Sequence, residues 1–189
     1  MTREQLQQMG AILEGHFLLT SGRHSAVYFE KFRLLEQPRV LNELVATMLA
    51  QLPAHTAQVV VGPTLGGVLV AYEAARQLGI RAAYAEREGD GRVFRRDGVP
   101  EPGTPVLVVD DVLTTGTSIR EVLTLLEECR ARVVGIGVLI DRSETPPPFG
   151  IPLASALRLP AVSYAPEECP LCRAGMPLTK RGSRETPPR

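Results

Sequence analysis

Residues 106–121 read VLVVDDVLTTGTSIRE. The opening run Val106-Leu107-Val108-Val109 is short and β-branched, which predicts a buried strand. Two adjacent carboxylates, Asp110 and Asp111, stand at its C-terminal end, and the small hydroxyl-rich loop Thr114-Thr115-Gly116-Thr117-Ser118 follows. Ile119, Val122, Leu123 and Leu126 then keep the i, i+3, i+4, i+7 spacing of one helical face, so a helix starts here. Ser118 and Glu121 have the S-x-x-E spacing of a capping box in its first turn.

That order of elements has a chemical consequence. A helix N-terminus offers backbone N–H groups and partial positive charge, and Gly116 lets an anion approach the backbone closely. The hydroxyls of Thr114, Thr115, Thr117 and Ser118 add donors for phosphate oxygens. Paired carboxylates suit sugar hydroxyls or a hydrated Mg²⁺. A site for a phosphate, a ribose diol and a metal is a phosphoribosyl site. The G-x-x-x-x-G-K-[ST] spacing of a P-loop is absent. The stretch resembles the phosphoribosyl-pyrophosphate (PRPP) motif of type I phosphoribosyltransferases, in which apolar residues lead into two acids and a T-x-G-T/S loop.

The whole chain bounds the reading. Its 189 residues suffice for one well-buried domain, and 21 basic against 21 acidic residues leave no bulk field for nucleic acid or membranes. No apolar run approaches the roughly 18 residues a membrane span needs. The charged and glutamine-rich start, MTREQLQQMG, does not read as a signal peptide, so the expected location is cytoplasmic. Cys129, Cys169 and Cys172 do not make a disulfide framework.

Upstream, residues 2–14 read as an amphipathic helix with Leu6, Met9, Ile12 and Leu13 on one face, stopped by Gly15. Two short strands, His16–Leu19 and Val27–Phe29, flank the turn-rich residues 20–25. By itself His24 reads as a solvated loop residue, and Tyr28 and Phe29 as core. Pro38–Leu52 predicts a helix, Gln58–Val61 a strand, Val68–Leu78 a helix closed by Gly79, and Ile80–Ala85 a strand. Between them, Gly62-Pro63-Thr64-Leu65-Gly66-Gly67 is either a plain tight turn or a backbone cradle for pyrophosphate. Residues 86–103, EREGDGRVFRRDGVPEPG, read as a mobile surface excursion or a long hairpin.

Downstream, a helix from Thr117 to about Arg130 precedes the strand Arg132–Ile140, which runs into Asp141-Arg142. That dipeptide is either a local ion pair or a carboxylate-binding arginine, since guanidinium offers a two-bond fork. Pro146-Pro147-Pro148 breaks the chain. The CPLC at 169–172 reads as a reduced structural pair in preference to an inter-subunit metal site. Zinc usually takes four ligands, and only Cys129 remains.

The segment GHFLLTSGRHSAVYFEKF, the 106–121 motif and Ile140-Asp141-Arg142 together resemble the orotate phosphoribosyltransferase family from about residue 10 to 178. The resemblance implies an α/β fold: a Rossmann-like, mostly parallel sheet flanked by helices, over about 36–145. A small hood from 1–35 and 146–178 completes one domain 1–178, with Ile151–Ser163 as a hood strand and a disordered tail 179–189. It implies transfer of the phosphoribosyl group of PRPP to N1 of orotate with Mg²⁺, giving orotidine 5′-monophosphate and pyrophosphate in pyrimidine biosynthesis. Asp110 and Asp111 would hold the ribose hydroxyls, with Mg²⁺ nearby on PRPP and water and no direct protein ligand. Thr114, Thr115, Gly116, Thr117 and Ser118 would hold the 5′-phosphate, with Thr64, Gly66 and Arg87 toward pyrophosphate. Arg87, Asp110 and Asp111 would be the catalytic set. Orotate would meet Arg142, Thr114, Tyr28, Phe29 and Lys31 under the hood. A homodimer would share the Glu86–Gly103 loop across subunits, with Arg95 or Arg96 adding charge. Departures are the missing K-x-H-G of that loop, Gly66 in place of a lysine, and Thr20 in place of a basic residue. Purine or uracil phosphoribosyltransferases would share 106–121 without the hood pattern and Asp141-Arg142. A PRPP-sensing regulator would want a DNA-binding module or a basic face, and the chain offers neither room for such a module nor net positive charge.

Overall fold

Apolar residues that alternate along the central strands put side chains on both faces of a sheet, and helices close over each face. The computed structural model describes residues 1–19, 21–89, 91–95, 98–160 and 162–181. The elements run α1 (Arg3–Gln8), β1 (Ile12–Leu18), β2 (His24–Phe29), α2 (Phe32–Leu35), α3 (Pro38–Leu49), β3 (Val59–Pro63) and α4 (Gly66–Leu78). They continue as β4 (Arg81–Glu88), β5 (Gly91–Phe94), β6 (Pro105–Leu113), α5 (Thr117–Glu128), β7 (Arg132–Asp141), β8 (Leu153–Arg158), α6 (Pro170–Arg173) and β9 (Thr179–Lys180). Two compact units result: 34–160, and 1–33 with the described part of 161–189.

The larger unit is a six-stranded sheet in the order β5-β4-β3-β6-β7-β8, parallel except for the β4–β5 hairpin. Val59, Val61, Val106 and Val108 face one side, where Ile119, Val122 and Leu126 of α5 pack on them. Strand alternation sends Val60, Leu107 and Gly137 to the other side. There the Met48 sulfur of α3 lies 2.6 Å from where a Cβ on Gly137 would stand. The mostly parallel α/β architecture expected from the sequence is the one observed.

Several boundaries differ from expectation. The central strand does not end at Val109. Pairing of Asp110 with Val138, Val112 with Ile140 and Leu113 with Asp141 carries β6 through both acids. Of the two readings of residues 86–103, the hairpin is the one observed at its start, where β4 runs to Glu88 and pairs antiparallel with β5. Ile151–Ser163 was expected in the hood. Its strand, β8, instead pairs in parallel with β7 as an edge of the larger unit's sheet.

In the smaller unit α1 stops at Gln8, with Gly10 at φ +70°, and Ile12 already belongs to a strand. The helix expected to reach residue 14 gives way to an antiparallel β1–β2 pair, with β9 added in parallel to β1. Thr179 and Lys180 are therefore strand residues, and residues 182–189 of the expected tail lie outside the described residues. His24 is buried rather than solvated, its ring 4.9 Å from that of His16.

Candidate active site

Three loops leave the C-terminal ends of the adjacent parallel strands β3, β6 and β7, the edge where such sheets place ligands. The middle loop is built around Gly116, which adopts φ +78° and serves as N-cap of α5. A Cβ there would also stand 2.8 Å from the Phe149 ring. Thr114, Thr115 and Thr117 are exposed around it, and the Thr115 and Thr117 hydroxyls lie 3.0 Å apart.

Ser118 and Glu121 do not form the expected capping box. The Ser118 hydroxyl donates to Asp110 Oδ2 at 2.7 Å, and the Asp111 N–H donates to Asp110 Oδ1 at 2.8 Å. Both carboxylates are buried, each 5% exposed. Against them packs the β3 loop, in which the Thr64–Leu65 peptide is cis. A Cβ on Gly66 would fall 1.5 Å from Asp111 Oδ2, and one on Gly67 would fall 3.2 Å from Asp110 Oδ1. The glycine standing where relatives often carry lysine is thus one into which Asp111 has packed. Thr64 is half-buried beside it.

Glu121 is used elsewhere. Arg87 Nη1 reaches its two oxygens at 2.7 and 2.8 Å, and Arg92 Nε donates to Oε2 at 2.8 Å. Arg92 also donates to the Ala85 carbonyl at 3.0 Å, and its side chain is only 6% exposed, against 55% for Arg87. The hairpin bearing Arg87 is therefore tied to the helix that starts at the phosphate-type loop. Arg95 pairs with Glu88 at 2.6 Å. Arg96 and Thr20 lie outside the described residues.

Arg142 follows β7, its backbone N–H donating to the Leu113 carbonyl at 2.8 Å, so it sits beside the end of β6. The buried Asp141 carboxylate takes Ser143 on one oxygen and Arg158 on the other at 3.3 Å. The larger unit thus brings together Thr64, Gly66, Asp110, Asp111, the 114–118 loop and Arg142, with Arg87 on Glu121. Tyr28 and Phe29 lie in β2 and Lys31 follows it, its ammonium 5.6 Å from the Phe32 ring, all within or at the border of the smaller unit. Sequence reasoning missed Arg92 as an anchor. Its one signal was an arginine between apolar neighbours in a charged run.

Residues 33–149 match the phosphoribosyl transferase domain model, which places the chain among the phosphoribosyltransferases. An orotate phosphoribosyltransferase of Pelotomaculum thermopropionicum is 44% identical over 98% of this chain and 100% of its own length. One of Thermotoga maritima is 46% identical over 97% of this chain and 98% of its own. The crystal structure of orotate phosphoribosyltransferase from Aeropyrum pernix superposes with a TM-score of 0.72 at 32% identity, covering 84% of this chain and 94% of that one. The chain belongs to the orotate phosphoribosyltransferase family.

Proposed function

We propose that the chain transfers the 5-phosphoribosyl group of PRPP to N1 of orotate, giving orotidine 5′-monophosphate and pyrophosphate. The observation that carries the reading is the buried Asp110–Asp111 pair at the end of β6, joined through Ser118 to the glycine-capped start of α5. The 114–118 loop and the α5 N-terminus bind the 5′-phosphate through hydroxyls and backbone N–H groups. Asp110 and Asp111 take the ribose hydroxyls. As pyrophosphate leaves, positive charge grows at the ribose C1′, and the two fixed carboxylates stabilise it without reorganisation.

Arg142 grips the orotate carboxylate, and Thr114 borders the ring; Tyr28, Phe29 and Lys31 complete the orotate set. With the pyrimidine so held, N1 attacks the face opposite the leaving group. Thr64 and Gly66 bind the departing pyrophosphate, and Arg87 and Arg95 offset its charge. The hard oxygen donors of Asp110 and Asp111 suit a hydrated Mg²⁺ carried on PRPP. When bound, that ion screens the pyrophosphate charge.

The chain acts as a homodimer in this proposal, with Glu86–Gly103 shared across subunits. Leu69 and Tyr72 of α4, with Leu65 at its N-cap, support it by leaving an exposed apolar stripe. A cytoplasmic setting fits the three cysteines, which form no disulfide. Among the described residues no helix is long and apolar enough to cross a membrane. The test is product identification by chromatography after incubation with orotate, PRPP and Mg²⁺. Orotidine 5′-monophosphate and pyrophosphate in equal amounts support the reading; PRPP hydrolysis without a nucleotide product overturns it.

A further inference from the structure

Outside the phosphoribosyl site, two histidines of the β1–β2 pair meet the two cysteines of the CPLC segment within the smaller unit. Their ligand-type atoms all lie within 4.8 Å of one another. His16 Nε2 is 3.0 Å from His24 Nδ1 and 3.5 and 3.7 Å from the sulfurs of Cys169 and Cys172. Cys172 Sγ is 3.3 Å from His24 Nδ1. We infer that His16, His24, Cys169 and Cys172 bind one zinc ion.

The spacing supports a single tetrahedral ion. Zinc–nitrogen bonds of about 2.0–2.1 Å and zinc–sulfur bonds of about 2.3 Å put neighbouring ligand atoms roughly 3.3–3.8 Å apart. The observed separations bracket that range. Soft thiolates with imidazoles in an S₂N₂ set select zinc among common divalent ions.

The proton inventory agrees. His16 Nδ1 lies 2.8 Å from the Met176 carbonyl, which can only accept, so Nδ1 carries the hydrogen. The Nε2 lone pair of a neutral His16 therefore faces the other three groups, and the carbonyl fixes the ring as outer partners of metal-bound histidines do. His16, His24 and Cys169 are buried, whereas Cys172 is exposed, which leaves an edge for metal entry.

Protein contacts hold the two halves of the cluster together. His24 exchanges backbone bonds with Tyr164 at 2.9 and 2.8 Å, Ser25 Oγ donates to the Val162 carbonyl, and Arg23 donates to Ser163. Four protein ligands leave no open coordination position, so the ion is structural and clamps residues 169–172 to the β1–β2 pair. A small unit buries proportionally little apolar surface and gains from such a staple. Cys129 is not needed, because the histidines supply the missing pair.

Elemental analysis of the full chain, purified without chelator, reads the site. The expected result is about one zinc per chain, as a closed four-ligand site implies, retained by Cys129→Ser and lost by Cys172→Ser. Cobalt(II) added to chelator-stripped protein is expected to give tetrahedral d–d absorption with thiolate-to-metal charge transfer, and zinc to restore a lowered Tm. The cobalt spectrum needs no substitution, so a poorly folding variant does not obscure the result. Folded, reduced protein that takes up neither zinc nor cobalt overturns the inference. So does zinc that persists undiminished in folded Cys172→Ser. Either outcome leaves the assignment of the phosphoribosyl site untouched.

Discussion

The Ser118 hydroxyl donates to Asp110 Oδ2 across 2.7 Å, tying the first turn of α5 to the strand before it. The bond fixes the Asp110 carboxylate against the start of α5, so one serine links the two groups proposed to take the ribose and the phosphate. Ser118→Ala removes a hydrogen bond to a charged group, a loss of about 1.5–3 kcal/mol. The expected outcome is a lower Tm together with a raised KM for PRPP, measured by thermal unfolding and initial rates. An unchanged KM for PRPP would place Ser118 outside the binding loop.

Arg87 and Arg92 share Glu121 but differ in burial, and that difference separates their roles. Arg92→Ala removes the buried charged hydrogen bond to Glu121, which keeps Arg87, and takes the arginine donor from the Ala85 carbonyl, costing about 2–4 kcal/mol in all. Arg87→Ala breaks an exposed bridge worth at most about 1 kcal/mol. Arg92→Ala is expected to lower Tm, whereas Arg87→Ala keeps Tm and reduces kcat/KM for PRPP. The reverse pattern would exchange the anchoring role of Arg92 and the role proposed for Arg87.

Gly66→Ala introduces a Cβ 1.5 Å from Asp111 Oδ2 and must displace that carboxylate. A shift of about 1 Å in a catalytic group can cost roughly 100-fold in rate. A fall of that order in kcat/KM with native circular dichroism is expected. Full activity would remove Asp111 from the reacting centre.

Arg142→Ala is expected to raise the orotate KM about 10- to 100-fold, the range set by losing a charged hydrogen-bond pair, with a far smaller effect on the PRPP KM. Equal effects on both constants would contradict an orotate-carboxylate role.

The sheet and the phosphate-type loop were legible in residues 106–121 because apolar runs and glycine positions report local geometry directly. The extent of β6 was not, since Asp110 and Asp111 look like strand terminators until β7 pairs beside them. Nor was the use of Glu121: its spacing from Ser118 satisfies a capping pattern, yet Arg87 and Arg92 from a distant hairpin outcompete that local bond. The histidine–cysteine cluster joins residues 16 and 24 to 169 and 172, a separation no spacing rule spans. Gly10, rather than Gly15, ended the first helix because Ile12 and Phe17 have strand partners in β2.

The most direct test is a spectrophotometric assay with PRPP and Mg²⁺ in which orotate, adenine, hypoxanthine and uracil are compared at equal concentration. Consumption of orotate alone is the predicted result. Turnover of another base in preference to orotate, or tight PRPP binding without turnover of any base, would contradict it.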